Sequence, residues 1–242
     1  MTREDRSDGY GTYVQATGSS IGDWEHVFSE YILTSRFAGR RQILELGPGR
    51  CSFLRLAPER IIGLDLSPSL VDAYSQQGLD LRFGSVNAIP LPDCSLDAVY
   101  ACWLFEHLAD PETAAKEIRQ VLRPGGYACI IVPSADSLQR GFYDDYTHVR
   151  PFTCASLHLL AVATGFSRFR STNLFWTRGL GRLLPFLSEQ RVLRLIRMFD
   201  RDRRRVGLVN RNNLALDLLE VIQRWQPPAT ILGMRSGARA SS

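Results

Sequence analysis

The chain of 242 residues is almost without lysine: Lys116 stands alone among 29 basic residues, the rest being arginine. GC-rich coding explains such a bias more simply than any arginine-specific chemistry. Cysteine is sparse and unpaired. Cys51, Cys94, Cys102, Cys129 and Cys154 form no C-x-x-C motif, which disfavours a zinc cage and a disulfide framework and makes them reduced, mostly buried small hydrophobes. There is no apolar run long enough to span a bilayer. The polar start, Met1-Thr2-Arg3-Glu4-Asp5-Arg6-Ser7-Asp8, also lacks the apolar centre of a secretion signal, so a cytoplasmic location is expected. What remains is an ordinary soluble composition, 45% hydrophobic and 22% charged, in a chain long enough to bury a sizeable core as one domain.

Against that background, residues 43 to 49, Ile43-Leu44-Glu45-Leu46-Gly47-Pro48-Gly49, stand out as an apolar run closing on an acid and a tight glycine pair. Asp65 closes a second such run. Glycines let backbone approach a ligand, a following helix start offers unpaired N–H groups, and an acid ending the second strand accepts both ribose hydroxyls. The pattern therefore points to a nucleoside-containing cofactor. A dinucleotide loop has a third glycine where Ser52 stands here. Glu45 would repel a pyrophosphate yet could accept a hydrogen bond from an amino group, so a cationic ligand without phosphate fits better than NAD.

Hydrophobic periodicity predicts a βα alternation. A helix at 24–35 precedes strands at 42–46, 61–66, 81–84, 96–102, 127–132 and 166–174. Ser67 and Pro68 open a helix that stops at Gly78; Asp110 and Pro111 open another that runs to Leu122 and ends on Arg123-Pro124-Gly125-Gly126. Thr153 and Gly165 bracket a third, 154–164. The expected fold is α/β: a Rossmann-like, doubly wound and mostly parallel sheet with an N-terminal cap helix and a helical insertion; resemblance to a family with such a sheet makes it seven-stranded, with an antiparallel last strand at 229–234 after the insertion. The divisions are a cap segment at 1–36, the cofactor-binding core at 37–175, a basic helical insertion at 176–227, and the last strand with a polar tail at 228–242.

The insertion concentrates charge. Residues 191–205 hold seven arginines against Asp200 and Asp202, a local +5 in a chain of net charge +4. Val192, Leu193, Leu195, Ile196 and Phe199 leave one apolar side, so a solvated helix face is the simplest account. The other account is contact with an anionic partner, whether a phosphorylated substrate, a lipid-linked glycan at a membrane surface, or nucleic acid. Trp176, Phe186 and Leu187 fall in the same insertion, as substrate wall or lid, or as a homodimer contact.

In order and content the stretch 42–165 resembles the class I S-adenosylmethionine-dependent methyltransferases, and in particular the type 11 and 23 group. Four segments carry the resemblance: Glu45-Leu46-Gly47-Pro48-Gly49, Gly63-Leu64-Asp65-Leu66-Ser67, 84–97 (GSVNAIPLPDCSLD) and 105–126 (FEHLADPETAAKEIRQVLRPGG). The resemblance implies S-adenosylmethionine as cofactor, S-adenosylhomocysteine as product and no metal. Its implied cofactor residues are Glu45, Gly47, Gly49, Asp65, Leu66, Ser85, Val86, Cys102 and Trp103. Two positions depart from the family pattern: Cys51 replaces a third glycine, and Ser85 replaces the acid that would meet the adenine amino group.

Candidates for chemistry are few because the chain has four histidines. His26, in the cap helix, and His158, inside 154–164, fit structural roles. His148 lies in Tyr143-Asp144-Asp145-Tyr146-Thr147-His148-Val149-Arg150-Pro151-Phe152-Thr153, a polar loop after the fifth strand, at the edge where open α/β sheets bind ligands. Members of the group carry a similar segment there. In one account Asp145 orients the imidazole, His148 takes the acceptor proton and Arg150 holds a substrate anion, with Tyr146 and Trp176 lining the acceptor; in the other, Asp145, His148 and Arg150 clamp the loop. His107 lies near cofactor or acceptor by resemblance, or else caps the turn after Glu106.

Other methylations lack their signatures. No Asn/Asp-Pro-Pro-aromatic tetrad follows the fourth strand, which has Ala101-Cys102-Trp103-Leu104, so a DNA substrate is not expected, and no Pro-Cys nucleophile occurs. A hard-oxygen magnesium site could not be assembled. The function expected is metal-independent O-methylation of a small-molecule or sugar/glycan acceptor, as in secondary-metabolite or polysaccharide synthesis in bacteria. N- or C-methylation of a natural product, and cofactor binding without transfer, are the alternatives.

Overall fold

The computed structural model describes residues 24–133, 142–166, 168–177, 191 and 213–222. A seven-stranded sheet organises them in the order β3-β2-β1-β4-β5-β7-β6, with β1 (Ile43–Leu46), β2 (Ile61–Asp65), β3 (Leu81–Phe83), β4 (Leu96–Cys102), β5 (Leu122–Pro133), β6 (Arg168–Thr177) and β7 (Asn213–Ile222). The strands β1 to β5 pair in parallel, and β7 runs antiparallel to both β5 and β6. The order reverses between β1 and β4, the switch point where open sheets leave a crevice beyond their carboxyl ends.

Helices cover both faces. One face packs α1 (Trp24–Arg36) through Val27, Phe28, Tyr31 and Ile32 onto Phe53, Leu54 and α2 (Pro68–Ser75). At its centre Phe37 makes edge contacts with Phe53, Tyr100 and Tyr127. The other face holds α3 (Pro111–Val121) and α4 (Cys154–Ala163) through Ala114, Ile118, Leu157 and Ala161. Each helix start works as its sequence requires. The Ser67 hydroxyl accepts from the Leu70 N–H, Asp110 accepts from the Thr113 N–H at 3.0 Å, and Thr153 and Ser156 form a reciprocal capping box. Among the described helices, none is long and apolar enough to cross a membrane.

Three elements differ from expectation. The antiparallel strand is 213–222, inside the stretch expected to be helical, whereas 229–234 lies outside the described residues, as do residues 178–190, all of the arginine segment except Arg191, and the tail. Asn213–Ile222 has both hydrogen-bonding edges filled, by β5 and β6, whereas its Leu and Ala content favours a helix when viewed alone. The second departure lies after the glycine pair: instead of a helix there is one 3-10 turn, Leu54–Leu56. Third, β5 starts at Leu122 and carries the Pro-Gly-Gly stretch within it, through a register irregularity between Leu96 and Ala98 of its neighbour β4.

Gly63 lies where β2 passes the glycine turn. A Cβ there would meet Leu81 Cδ1 at 2.5 Å, Leu54 Cδ1 at 3.2 Å and Pro48 Cγ at 3.3 Å. Leu54 is fully buried and the proline ring is rigid, so Gly63→Ala should destabilise by about 1–3 kcal/mol through overpacking, measured as a lower midpoint in urea. An unchanged midpoint would mean that this contact relaxes freely.

Candidate active site

The crevice is built first from the β1 turn. Gly47 and Gly49 have φ of 59° and 50°, in the left-handed region that glycine enters without strain, and a Cβ on Gly47 would sit 3.0 Å from Leu104 Cδ1. Cys51 has φ 59°, so the position where the family carries its third glycine still has glycine's backbone conformation, now with a buried side chain. That conformation turns the chain away from helix and into the 3-10 turn. Helix α1 closes over it: the Ser52 hydroxyl donates to Glu25 at 2.8 Å.

Glu45 is buried beneath this turn and accepts from the Leu54 N–H at 2.9 Å. Burial pushes its carboxyl well above the usual range, the Leu54 N–H opposes this, and the charges of Glu25 and Asp65 add to it. Folded-state protonation is thus easier than unfolded, so stability is greatest in acid and is lost as pH rises through the folded pKa. Glu45→Gln keeps an acceptor for Leu54 and removes the buried charge. It should raise Tm by a few degrees at neutral and alkaline pH and flatten the Tm–pH profile, in scanning calorimetry; an unaltered profile would mean that Glu45 is not the source.

Asp65 ends β2 and accepts from the Ser67 N–H at 2.9 Å. Burial raises its carboxyl too, opposed by the N–H groups of Ser67, Gly49 and Leu66. Leu66 is exposed, which leaves it free to cover a flat ligand, while Val86 is buried and the Ser85 hydroxyl accepts from the Asn87 N–H at 3.2 Å. On the far side, β4 ends in Cys102 and then Trp103. Trp103 has φ 53°, an uncommon conformation for a bulky residue, held by its N–H on the Ile131 carbonyl at 2.9 Å and by stacking on Phe28 of α1.

The loops after β4 and β5 then meet, because those strands are neighbours. Glu106 and His107 lie in the 3-10 turn Phe105–His107, and the Glu106 carbonyl accepts from the N–H groups of Val149, at 2.8 Å, and Arg150. That docking sets the rings of His107 and His148 4.7 Å apart. The His148 Nδ1 is 2.6 Å from the Phe142 carbonyl, to which it must donate, so Nε2 keeps its lone pair. Thr147 donates to Asp145 at 2.5 Å and lies 2.9 Å from His107 Nδ1. Glu106, 1% exposed, lies beside them with no hydrogen-bond partner on either carboxylate oxygen. Burial pushes it up to about 8. Burial and the neighbouring His148 hold His107 below the usual histidine range. One carboxylate oxygen of Glu106 and one nitrogen from each ring all lie within 4.8 Å of one another, a donor set able to take a proton or a metal ion.

The parts attributed to the β5 loop redistribute. The Phe142 carbonyl, not Asp145, orients the His148 ring; Asp145 accepts from the Thr147 N–H and hydroxyl, and its Oδ2 is 3.9 Å from His148 Nε2. Arg150 donates to the Ala109 carbonyl at 2.9 Å and so braces the loop. Tyr146 is 85% exposed. Trp176 lies on β6, two strands from β5 and in register with Leu214; its side chain lies outside the described residues. His26 is exposed on α1, and His158 meets Phe169 edge-on. Glu106 was not singled out from sequence. The signal was its place next to His107 at the end of a strand whose neighbour carries His148.

Residues 44–130 match a family model described as "Methyltransferase domain", of type 11. The chain is 31% identical over 158 residues to a probable S-adenosylmethionine-dependent methyltransferase of Mycolicibacterium smegmatis, covering 62% of this chain and 61% of that protein. It is also 31% identical to a malonyl-[acyl-carrier protein] O-methyltransferase of Serratia marcescens, over 40% of each chain. It therefore spans less than two thirds of the length of these relatives. In fold it is similar to a SAM-dependent methyltransferase from Archaeoglobus fulgidus, with a TM-score of 0.62 at 20% identity over 82% of this chain and 94% of that one. Residues 44–130 thus match a methyltransferase domain, and the sheet that frames them has the fold of S-adenosylmethionine-dependent methyltransferases.

Proposed function

We propose that this chain transfers the methyl group of S-adenosylmethionine to a hydroxyl of a small-molecule or sugar acceptor. The observation that carries the reading is a hydrogen-bonded imidazole, His148, presenting Nε2 at the carboxyl edge of the sheet beside the strand end that holds the cofactor cradle. Asp65 would accept the ribose hydroxyls, Gly47 and Gly49 would let the backbone approach the methionine part, and Glu45 would meet the amino group directly or through water. Leu66, Ser85 and Val86 would frame the adenine, and Cys102 with Trp103 would border the sulfonium and keep water out.

In the displacement, the acceptor oxygen forms a bond to the methyl carbon as the carbon–sulfur bond breaks, and the sulfonium charge is discharged to neutral S-adenosylhomocysteine. The hydroxyl proton passes to Nε2 of His148. The methyl is already activated, so alignment supplies most of the effect, roughly 7–11 kcal/mol when the reacting atoms are well placed. The β5 loop also fits the clamp account, since Arg150 holds Ala109 and Asp145 holds Thr147. Both accounts agree with His148 as base if the clamp is what positions it. Acceptor identity follows from a screen with methyl-labelled S-adenosylmethionine against hydroxyl, amine and carbon acceptors. Label stable in an ether supports the proposal; label only in amine or carbon products overturns its oxygen preference, and cofactor binding with no transfer supports a binding role.

A further inference from the structure

A recess of about 310 Å³ opens at the amino edge of the sheet, lined by Gly39, Arg40, Arg41, Asp97, Arg123 and Gly125 among others. These residues come from the approach to β1, the start of β4 and the first residues of β5, so the length of β4, roughly 20 Å from Leu96 to Cys102, separates the recess from the crevice at the carboxyl edge. Three of its lining residues are cations and one is an anion. Asp97 is already engaged: its Oδ2 accepts from the N–H groups of Arg41 at 3.1 Å and Gln42 at 3.0 Å, and its Oδ1 accepts from Arg123 at 2.9 Å. The Gln42 side-chain oxygen holds Arg123 a second time. Arg40 donates to the Asp97 carbonyl at 2.9 Å and lies over the Tyr127 ring, 4.8 Å from its centre, so a neutral oxygen and a ring face fix its guanidinium. The Arg41 side chain has no partner among the described residues. Among those residues, the charges of Arg40 and Arg41 therefore meet no carboxylate.

We propose that this recess binds a phosphoryl dianion, either free phosphate or the phosphate ester of a small molecule. Three guanidinium groups against one carboxylate leave a local charge of +2, and a phosphate monoester carries about −1.5 to −2 at neutral pH. The guanidinium fork matches paired phosphate oxygens, and such charge-assisted bonds are stronger than neutral ones. Arg40 and Arg123 are set in place before a ligand arrives, which lowers the cost of ordering them on binding. The main chain leaves room as well. Gly39 and Gly125 have φ of 76° and 80°, and a Cβ on either would meet nothing within 4 Å, so backbone borders open space that a ligand can fill. The volume falls at the lower end of the range of small-molecule sites, about 300–1,000 Å³, and holds a phosphate together with a short organic group.

The anion site lies at the edge opposite the methyl-transfer crevice and does not depend on that reading. Calorimetric titration of the full chain, in chloride buffer at fixed ionic strength, with inorganic phosphate, glycerol 3-phosphate and succinate tests it. One phosphoryl probe should bind saturably per chain, with succinate, whose carboxylates are spaced differently, at least about tenfold weaker. Tighter binding of glycerol 3-phosphate than of phosphate assigns the recess to an ester, and equal affinities assign it to free phosphate; either supports the proposal. Arg41→Gln removes a side chain that bonds nothing, so Tm should stay unchanged while phosphoryl affinity falls by about tenfold or more. S-adenosylhomocysteine should leave that affinity within about twofold, because the two sites lie a strand length apart. No saturation by either phosphoryl probe at millimolar concentration overturns the proposal, as does succinate binding as tightly as phosphate. Binding that survives Arg41→Gln, or that S-adenosylhomocysteine displaces, would place the anion elsewhere and overturn it too. Titration with S-adenosylmethionine alone tests the cofactor reading, so the two can fail independently.

Discussion

His148→Ala should lower kcat for an acceptor hydroxyl by about 10²–10⁴, the range a positioned base contributes, while S-adenosylmethionine affinity stays within about twofold. The asymmetry follows from the position of the residue. His148 hangs from the β5 loop beside His107, whereas the proposed cofactor cradle would be made by the ends of β1, β2 and β4. The ring is 14% exposed and its Nδ1 is fixed by a carbonyl, which leaves a single nitrogen for chemistry. If His148→Ala instead lowers Tm sharply and kcat only in proportion to the folded fraction, the histidine is a loop clamp.

Asp65→Ala should weaken S-adenosylmethionine by roughly a hundredfold or more, because two hydrogen bonds to a charged acceptor, each about 1.5–3 kcal/mol, are lost together. The fold should lose less, since the contacts at risk are those of the Asp65 carboxylate with the N–H groups of Ser67, Gly49 and Leu66, and Ser67 itself still caps α2. Asp65→Asn, which retains one acceptor oxygen, should fall between wild type and alanine. Calorimetric titration of the three proteins with S-adenosylhomocysteine reads this order directly; equal affinities would mean that the ribose is held elsewhere.

Much of this was legible because it is local. Ser67-Pro68, Asp110-Pro111 and Thr153 announce helix starts through side chains that reach N–H groups three residues on, and each does so in the structure. Ile61–Asp65 and Leu96–Cys102 are short apolar strands bounded by polar turns. What failed was set by the rest of the molecule. Asn213–Ile222 becomes a strand only because β5 and β6 offer it edges on both sides, and nothing within those ten residues says so. Cys51 enters the left-handed region because the turn demands it, which cancels the expected helix. The meeting of Glu106, His107 and His148 depends on the adjacency of β4 and β5, so a sequence in which His107 and His148 stand forty-one positions apart could supply each residue but not the cluster.

The central claim is that the β1–β2 cradle takes a sulfonium nucleoside and not a dinucleotide. Isothermal titration of the wild-type protein with S-adenosylmethionine, S-adenosylhomocysteine and NAD tests it in one set of measurements. Saturable micromolar binding of the first two, with none for NAD, is the predicted result. Binding of NAD in their place, or of none of the three, would contradict it.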